Sequence, residues 1–140
     1  MRDFLLLPQL ERGSDLALLA LRLLTGAFLI YGVIDNLLSA ERMQEFVRFL
    51  AVSGFARPEL MAPLSVYAQF AIGVALALGA LVRWAGLLLA FNFIVGVVMV
   101  HWNQSFREWW PAIVLVFLGL YFATRGAGRF GVDNIIGARA

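Results

Sequence analysis

Four long apolar runs, separated by short polar segments, account for most of the chain. They cover residues 16–38, 60–82, 84–102 and 109–124. Roughly 20 apolar residues of helix, at about 1.5 Å each, cross a bilayer core about 30 Å thick, and three of the runs reach or approach that length. The fourth spans the core if its flanking tryptophans and arginine lie among the headgroups. The pattern predicts an all-α polytopic membrane protein, a bundle of four transmembrane helices.

The connection between the first two runs, residues 39–58, has a helical pattern of its own. Apolar residues recur at i, i+3, i+4 and i+7, and mostly polar or charged residues occupy the rest of the turn. These apolar positions are Met43, Phe46, Val47 and Leu50. Ser39 stands where an N-cap is expected, and Pro58 fits the first turn of the next span. We therefore predict an additional amphipathic interfacial helix between helices 1 and 2.

Composition supports a lipid environment and excludes several classes of function. With 62% hydrophobic and 14% charged residues among 140, the chain is predicted to be one membrane domain, residues 1–140, whose apolar surface the lipid bilayer covers. The short connections leave no room for an extramembrane catalytic domain. A net charge of +2, carried by arginines at membrane edges, does not indicate a nucleic-acid partner.

Metal and redox cofactors held by the chain itself are not expected. There is no cysteine for a thiolate, a disulfide or an iron–sulfur cluster. The one histidine, His101, is too few for bis-ligated haem or a structural zinc site. We therefore expect no metal and no intrinsic cofactor.

The arginines predict the orientation of the four spans. On the side of both termini lie Arg2, Arg12, Arg83, Arg125, Arg129 and Arg139, and on the other side lie Arg42, Arg48, Arg57 and Arg107. This excess favours both termini in the cytoplasm, as a multi-pass protein of the bacterial inner membrane. Arg22 lies within the first span and is expected to snorkel to the terminal side, with Asp15 as its partner; the alternative is a contact with an anion or a lipid headgroup, shared with Tyr121.

Small and amide residues inside the spans predict how the helices meet. A residue of small volume recurs every fourth position at Ala71, Ala75 and Gly79 and at Gly86 and Ala90, a spacing typical of close helix packing. Gln69 and Asn92 lie near mid-membrane on adjacent antiparallel helices. They either form an interhelical amide hydrogen bond or line a ligand cavity.

A second group of polar residues lies near the helix ends on the side of the membrane opposite the chain termini. Tyr31 and Asp35 are one helical turn apart on the first helix, and His101 and Trp102 end the third. A nearby carboxylate would favour the protonated imidazole. Such an acid–base pair beside aromatic residues would bind a quinone headgroup and transfer its protons. The alternative is an interfacial aromatic belt with a histidine at a helix end.

Five weak motifs follow one another within residues 16–135: LALRLLTGAFLIYG, GFARPEL, YAQFAIGVALALGALVRWAG, VVMVH and GAGRFGVDN. In this order they resemble the DoxX family of small four-helix bacterial membrane proteins. The resemblance implies association with respiratory or thiol-linked redox systems of the membrane. His101 matches the histidine that commonly ends the third helix of the family. Tyr31 replaces a histidine and Gln69 a glutamate common in the family, which removes two titratable groups.

Two functions follow as hypotheses. The leading one is an accessory, non-catalytic membrane subunit of a quinone-linked respiratory or thiol-related redox complex, which lines a quinone site. Its partner is then a larger membrane complex or further copies of the chain. The alternative is a stand-alone membrane oxidoreductase or a binder of quinone or small lipophiles that uses His101, Asp35 and Tyr31. A transporter is less favoured because no inverted repeat or broken helix is visible.

Overall fold

The computed structural model describes residues 2–137, and these form helices and turns without a strand. The helices are α1 (Arg2–Leu6), α2 (Ser14–Leu38), α3 (Ala40–Val52), α4 (Pro58–Leu78), α5 (Val82–Gly96), α6 (Phe106–Arg125) and α7 (Val132–Gly137), with a 3₁₀ segment at Pro8–Gly13 and a π-helical turn at Val97–His101. Four segments are long and apolar enough to cross a membrane: Phe4–Leu38, Pro58–Leu78, Val82–His101 and Phe106–Arg125. The predicted all-α bundle of four spans is confirmed. Arg139 and the side chain of Arg2, both counted in the orientation prediction, lie outside the described residues.

The amphipathic helix between the first two spans is α3. The backbone N–H of Arg42 donates to Ser39 Oγ at 3.3 Å, so Ser39 caps the helix as predicted. Leu50 is buried, and α3 packs against α2 and α4. We call the side of the bundle that carries α3 and the α5–α6 turn the α3 face, and the opposite side, with α1, the α4–α5 turn and α7, the terminal face.

Two antiparallel helix pairs each cross at a pair of glycines. A Cβ on Gly26 of α2 would lie 2.6 Å from the carbonyl oxygen of Gly73 of α4. A Cβ on Gly86 of α5 would lie 2.5 Å from the carbonyl oxygen of Gly119 of α6. Only glycine permits backbones to approach so closely, as in small-residue packing of membrane helices.

The predicted small-residue stripes are partly correct. Gly86 and Ala90 do face α6, where a Cβ on Gly119 would lie 2.7 Å from the backbone nitrogen of Ala90. On α4 the residues that meet Gly26 are Gly73 and Ala77, whereas Ala71 is exposed. Ala75 packs against the core and Gly79 against Arg22 and Gly131, so of the three predicted positions on α4 it is Ala71 that faces outwards, because fourfold spacing alone does not say which way a helix is rotated.

The segment after α6, residues 126–134, folds back across the terminal face, and we call it the C-terminal clasp. Asp133 Oδ1 and Oδ2 accept hydrogen bonds from the backbone N–H groups of Leu81 and Val82, at 2.7 and 2.9 Å. A carboxylate in this position accepts from N–H groups that have no partner within the helix. Its negative charge also interacts favourably with the positive N-terminal end of the α5 dipole. The N–H of Asp133 in turn donates to the Gly79 carbonyl at 2.9 Å. The clasp thus joins α6 to the α4–α5 turn.

Arg22 binds the clasp from inside the bundle and does not snorkel. Its side chain is 0% exposed and donates from Nη2 to the Phe130 carbonyl at 2.7 Å and from Nη1 to the Leu76 carbonyl at 3.4 Å. The expected partner, Asp15, instead pairs with Arg125 at 2.9 Å. The prediction for Arg22 was wrong because the folded-back clasp covers it, so carbonyls of the chain replace water and headgroups as acceptors.

Candidate functional site

Three side chains form a hydrogen-bonded chain between α4 and α5. Gln69 Nε2 donates to Ser65 Oγ at 3.0 Å, and Ser65 Oγ donates to Asn92 Oδ1 at 3.1 Å. Ser65 and Gln69 are one helical turn apart, which puts both on the face of α4 that meets α5. Gln69 and Asn92 therefore lie near each other as expected, but Ser65 bridges them in place of a direct amide bond. We call this group the amide trio.

Ser65 was not predicted from the sequence, although a signal was present. A serine four residues before Gln69 shares its helix face, and a hydroxyl is short enough to fit between two amides. Within the described residues, Asn92 Nδ2 and Gln69 Oε1 make no further side-chain hydrogen bond. The trio therefore presents one donor group and one acceptor to a neighbouring molecule.

His101 reaches the same region from the last turn of α5, which is π-helical. The turn runs from Val97 to His101 and follows Gly96. Such wide turns rotate the following side chains relative to an α-helix and are frequent at functional sites. His101 is half-buried, and its Nδ1 lies 2.6 Å from Gln104 Oε1. With this amide orientation Nδ1 carries the proton, and Nε2 of the neutral ring is an acceptor.

A cavity of about 500 Å³ between α3, α4 and α5 connects these groups. Its polar lining consists of Ser65, Gln69, Asn92 and His101. The remaining lining is aromatic and aliphatic, with Phe46, Phe49, Leu50, Phe55, Met61, Leu64, Leu88, Phe91, Phe93 and Val100 among it. A largely apolar cavity with a few polar groups is the usual form of a small-molecule site. We call it the α4–α5 pocket.

Asp35 lies outside the α4–α5 pocket. It lines a separate groove of about 400 Å³ with Gly32, Asn36, Arg42 and Glu45 at the junction of α2 and α3. Asn36 Nδ2 donates to the Arg42 carbonyl there at 3.1 Å. Phe46 and Phe49 of α3 line both cavities and form the wall between them.

The structure therefore does not bring Tyr31, Asp35 and His101 together. The first two are on α2 and the third on α5, and α4 packs between these helices. Tyr31 is 84% exposed and Trp102 is 73% exposed, so both side chains face outwards from the bundle. The expected meeting followed from their common depth in the membrane, which does not determine which helices are neighbours.

Glu108 stabilises the start of α6. Its Oε2 accepts hydrogen bonds from the N–H and the hydroxyl of Ser105, each at 2.9 Å. This is a capping box, in which an acidic residue and a serine satisfy the first turn of a helix. Of the polar side chains expected on the α3 face, His101 is thus the one that lines the α4–α5 pocket.

The chain matches a known protein family. The family model described as DoxX matches residues 17–102. These residues include α3, α4, α5 and the π-helical turn, and hence all four polar residues of the α4–α5 pocket. Neither the comparison with curated proteins nor that with solved structures gives a match.

Proposed function

The chain belongs to the DoxX family, and on that premise we propose that it is an accessory membrane subunit that binds a quinone or a similar small lipophile in the α4–α5 pocket and supports a larger redox complex. One observation carries the proposal: the amide trio and His101 line a single, otherwise apolar pocket. A quinone has the matching chemistry, a ring that aromatic side chains contact and oxygens that accept hydrogen bonds.

The spacing of the polar groups favours a ligand held at one end. His101 follows Asn92 by nine residues, which is roughly 13 Å along a helix. A single ring therefore contacts either the amide trio or His101. With the head at the trio, Asn92 Nδ2 is the donor to a ligand oxygen, and the chain of the lipophile lies along the phenylalanines towards His101.

The role of an accessory subunit rests on what the pocket contains. Its polar groups are two amides, a hydroxyl and one imidazole, a set that binds and orients but holds no redox centre. The alternative of a stand-alone oxidoreductase used Tyr31, Asp35 and His101 as a unit. These side chains line separate surfaces, and no observation favours that alternative.

Ligand retention tests the pocket. We expect the full chain, purified in mild detergent, to release a quinone into organic solvent, measured by liquid chromatography and mass spectrometry. Asn92→Leu should lower the quinone content roughly two- to tenfold, the worth of one hydrogen bond, and His101→Ala, which lies beside the chain of the lipophile in this arrangement, should lower it less. Asn103→Leu is the matched control, since it removes an exposed amide on the same face outside the pocket.

Equal quinone content in Asn92→Leu and Asn103→Leu would contradict a site in this pocket. A second experiment tests the supporting role separately. Affinity purification from native membranes in the same detergent should recover a larger membrane complex with a redox centre of its own. Recovery of this chain alone, with quinone bound, would contradict the accessory role and leave the pocket intact.

A further inference from the structure

A polar groove on the terminal face is not used by the proposed function. It measures about 700 Å³, and its charged lining consists of Arg83, Arg125, Arg129, Asp15 and Asp133. Three positive side chains thus face two negative ones. Both carboxylates already have partners: Asp15 binds Arg125, and Asp133 binds the first amides of α5.

The guanidinium groups retain unused donors. A guanidinium has five N–H groups. Arg83 uses Nη1 for the carbonyls of Ala123 and Thr124, at 2.9 and 2.6 Å, and Arg125 uses Nη2 for Asp15. The Arg129 guanidinium lies 5.9 Å from the ring centroid of Phe130 and makes no side-chain hydrogen bond within the described residues. The groove therefore presents several charged donors, while Asp15 Oδ1 and both carboxylate oxygens of Asp133 already accept hydrogen bonds from the chain.

The location of the groove indicates which anion it fits. It lies where α5 begins and α6 ends, at one end of two spans. Leu81 immediately precedes α5, and Trp84 and Leu88 lie one turn apart on that helix; the three side chains are 67%, 67% and 52% exposed. This apolar stripe starts in the groove and continues into the membrane-spanning part of α5, where an acyl chain would lie against it.

We propose that the groove binds the phosphate headgroup of an anionic phospholipid, with its acyl chain on the Leu81–Trp84–Leu88 stripe. Arginine forks match phosphate oxygens, and basic pockets at the ends of membrane helices suit anionic headgroups. A zwitterionic headgroup carries a cation that would meet three arginines. Phosphatidylglycerol carries none, so the groove should prefer it to phosphatidylethanolamine.

Native mass spectrometry of the full chain in mild detergent tests this. Phosphatidylglycerol and phosphatidylethanolamine with identical acyl chains are added separately, and inorganic phosphate is added alone in a third series. We expect more phosphatidylglycerol than phosphatidylethanolamine adduct and none with phosphate alone. Arg129→Gln should lower phosphatidylglycerol binding about fivefold, the order of one arginine beside an anionic headgroup.

Two further variants make the result specific. Arg48→Gln removes an exposed arginine from the opposite face and should leave lipid binding unchanged. Arg129→Lys keeps the charge but loses the fork, so we expect it to bind between the natural protein and Arg129→Gln. Unaltered thermal unfolding of each variant shows that the fold is retained. Equal binding of the two lipids, an inorganic phosphate adduct, or an Arg129→Gln variant that behaves like Arg48→Gln would overturn the proposal.

Discussion

Arg22 is enclosed by the bundle, and its two carbonyl acceptors come from distant parts of the chain. Replacing it by alanine removes hydrogen bonds from a charged donor, each worth about 1.5–3 kcal/mol, and leaves a cavity. We expect Arg22→Ala to lower the free energy of unfolding in mixed micelles by roughly 3 kcal/mol or more. Arg48→Ala, an exposed control, should change it by less than about 0.5 kcal/mol. Similar stability of the two variants would show that the buried guanidinium contributes little.

The amide trio predicts a particular pattern of energetic coupling. Because Ser65 bridges Gln69 and Asn92, Ser65→Ala and Asn92→Leu should be coupled by about 0.6 kcal/mol, the average for hydrogen bonds between membrane helices. The same should hold for Ser65→Ala with Gln69→Leu. Gln69→Leu and Asn92→Leu should be coupled more weakly in the presence of Ser65. Double-mutant cycles of unfolding in micelles measure all three, and a stronger direct coupling between the two amides would refute the bridged arrangement.

The position of a residue along its helix could be predicted from the sequence, whereas the direction of its side chain around the helix could not. Gln69 and Asn92 were expected close together because each residue advances a helix by about 1.5 Å, and Ser65 does join them. Tyr31 and Asp35 share the level of His101 but lie on another part of the circumference. Four helices of similar hydropathy pack in several cyclic orders, so the separation of Asp35 from His101 required the structure.

The α2–α4 and α5–α6 crossings depend on glycine at particular positions. A Cβ at Gly26 would meet the backbone of Gly73, whereas a Cβ at Gly32 of the same helix meets nothing within 4 Å. We expect Gly26→Ala to destabilise the protein by about 1–3 kcal/mol, the usual cost of overpacking. Gly32→Ala should be neutral or stabilising by up to about 1 kcal/mol, since alanine favours the helix. Unfolding in micelles compares them, and equal effects would argue against a tight crossing.

The elements themselves followed from hydropathy because a bilayer imposes both length and helical hydrogen bonding on a span. Details that depend on distant partners did not follow. The π-helical turn before His101 has no sequence signal beyond Gly96, and α7 is only six residues long. Asp133 belongs to the GAGRFGVDN motif, yet its role as a cap of α5 depends on contacts with residues 52 and 51 positions earlier in the sequence.

The orientation of the whole bundle remains a prediction from the arginine excess on the terminal side. The chain has no cysteine, so single cysteines at Ser14, Ser53 and Ser105 report accessibility without further changes. An impermeant thiol reagent added to intact cells should label residues 53 and 105 and spare residue 14. Labelling at residue 14 alone would show that the orientation is reversed. Labelling at all three would place residues 14 and 53 on the same side of the membrane and would contradict the single crossing between them.

The position of the clasp in the chain also determines when, during synthesis, Arg22 obtains its acceptor at Phe130. Phe130, which accepts from Arg22, lies 108 residues further along the chain. The first span is therefore inserted long before the Phe130 carbonyl has been synthesised. Until then Arg22 lies in the membrane with an incomplete set of hydrogen-bond acceptors, which costs free energy. In a pulse-chase experiment we expect chains stopped after Arg125 to be degraded faster than chains that include the clasp, although both contain the four spans; equal half-lives would contradict this. The short stretch that follows the fourth span would then decide the lifetime of the spans made before it.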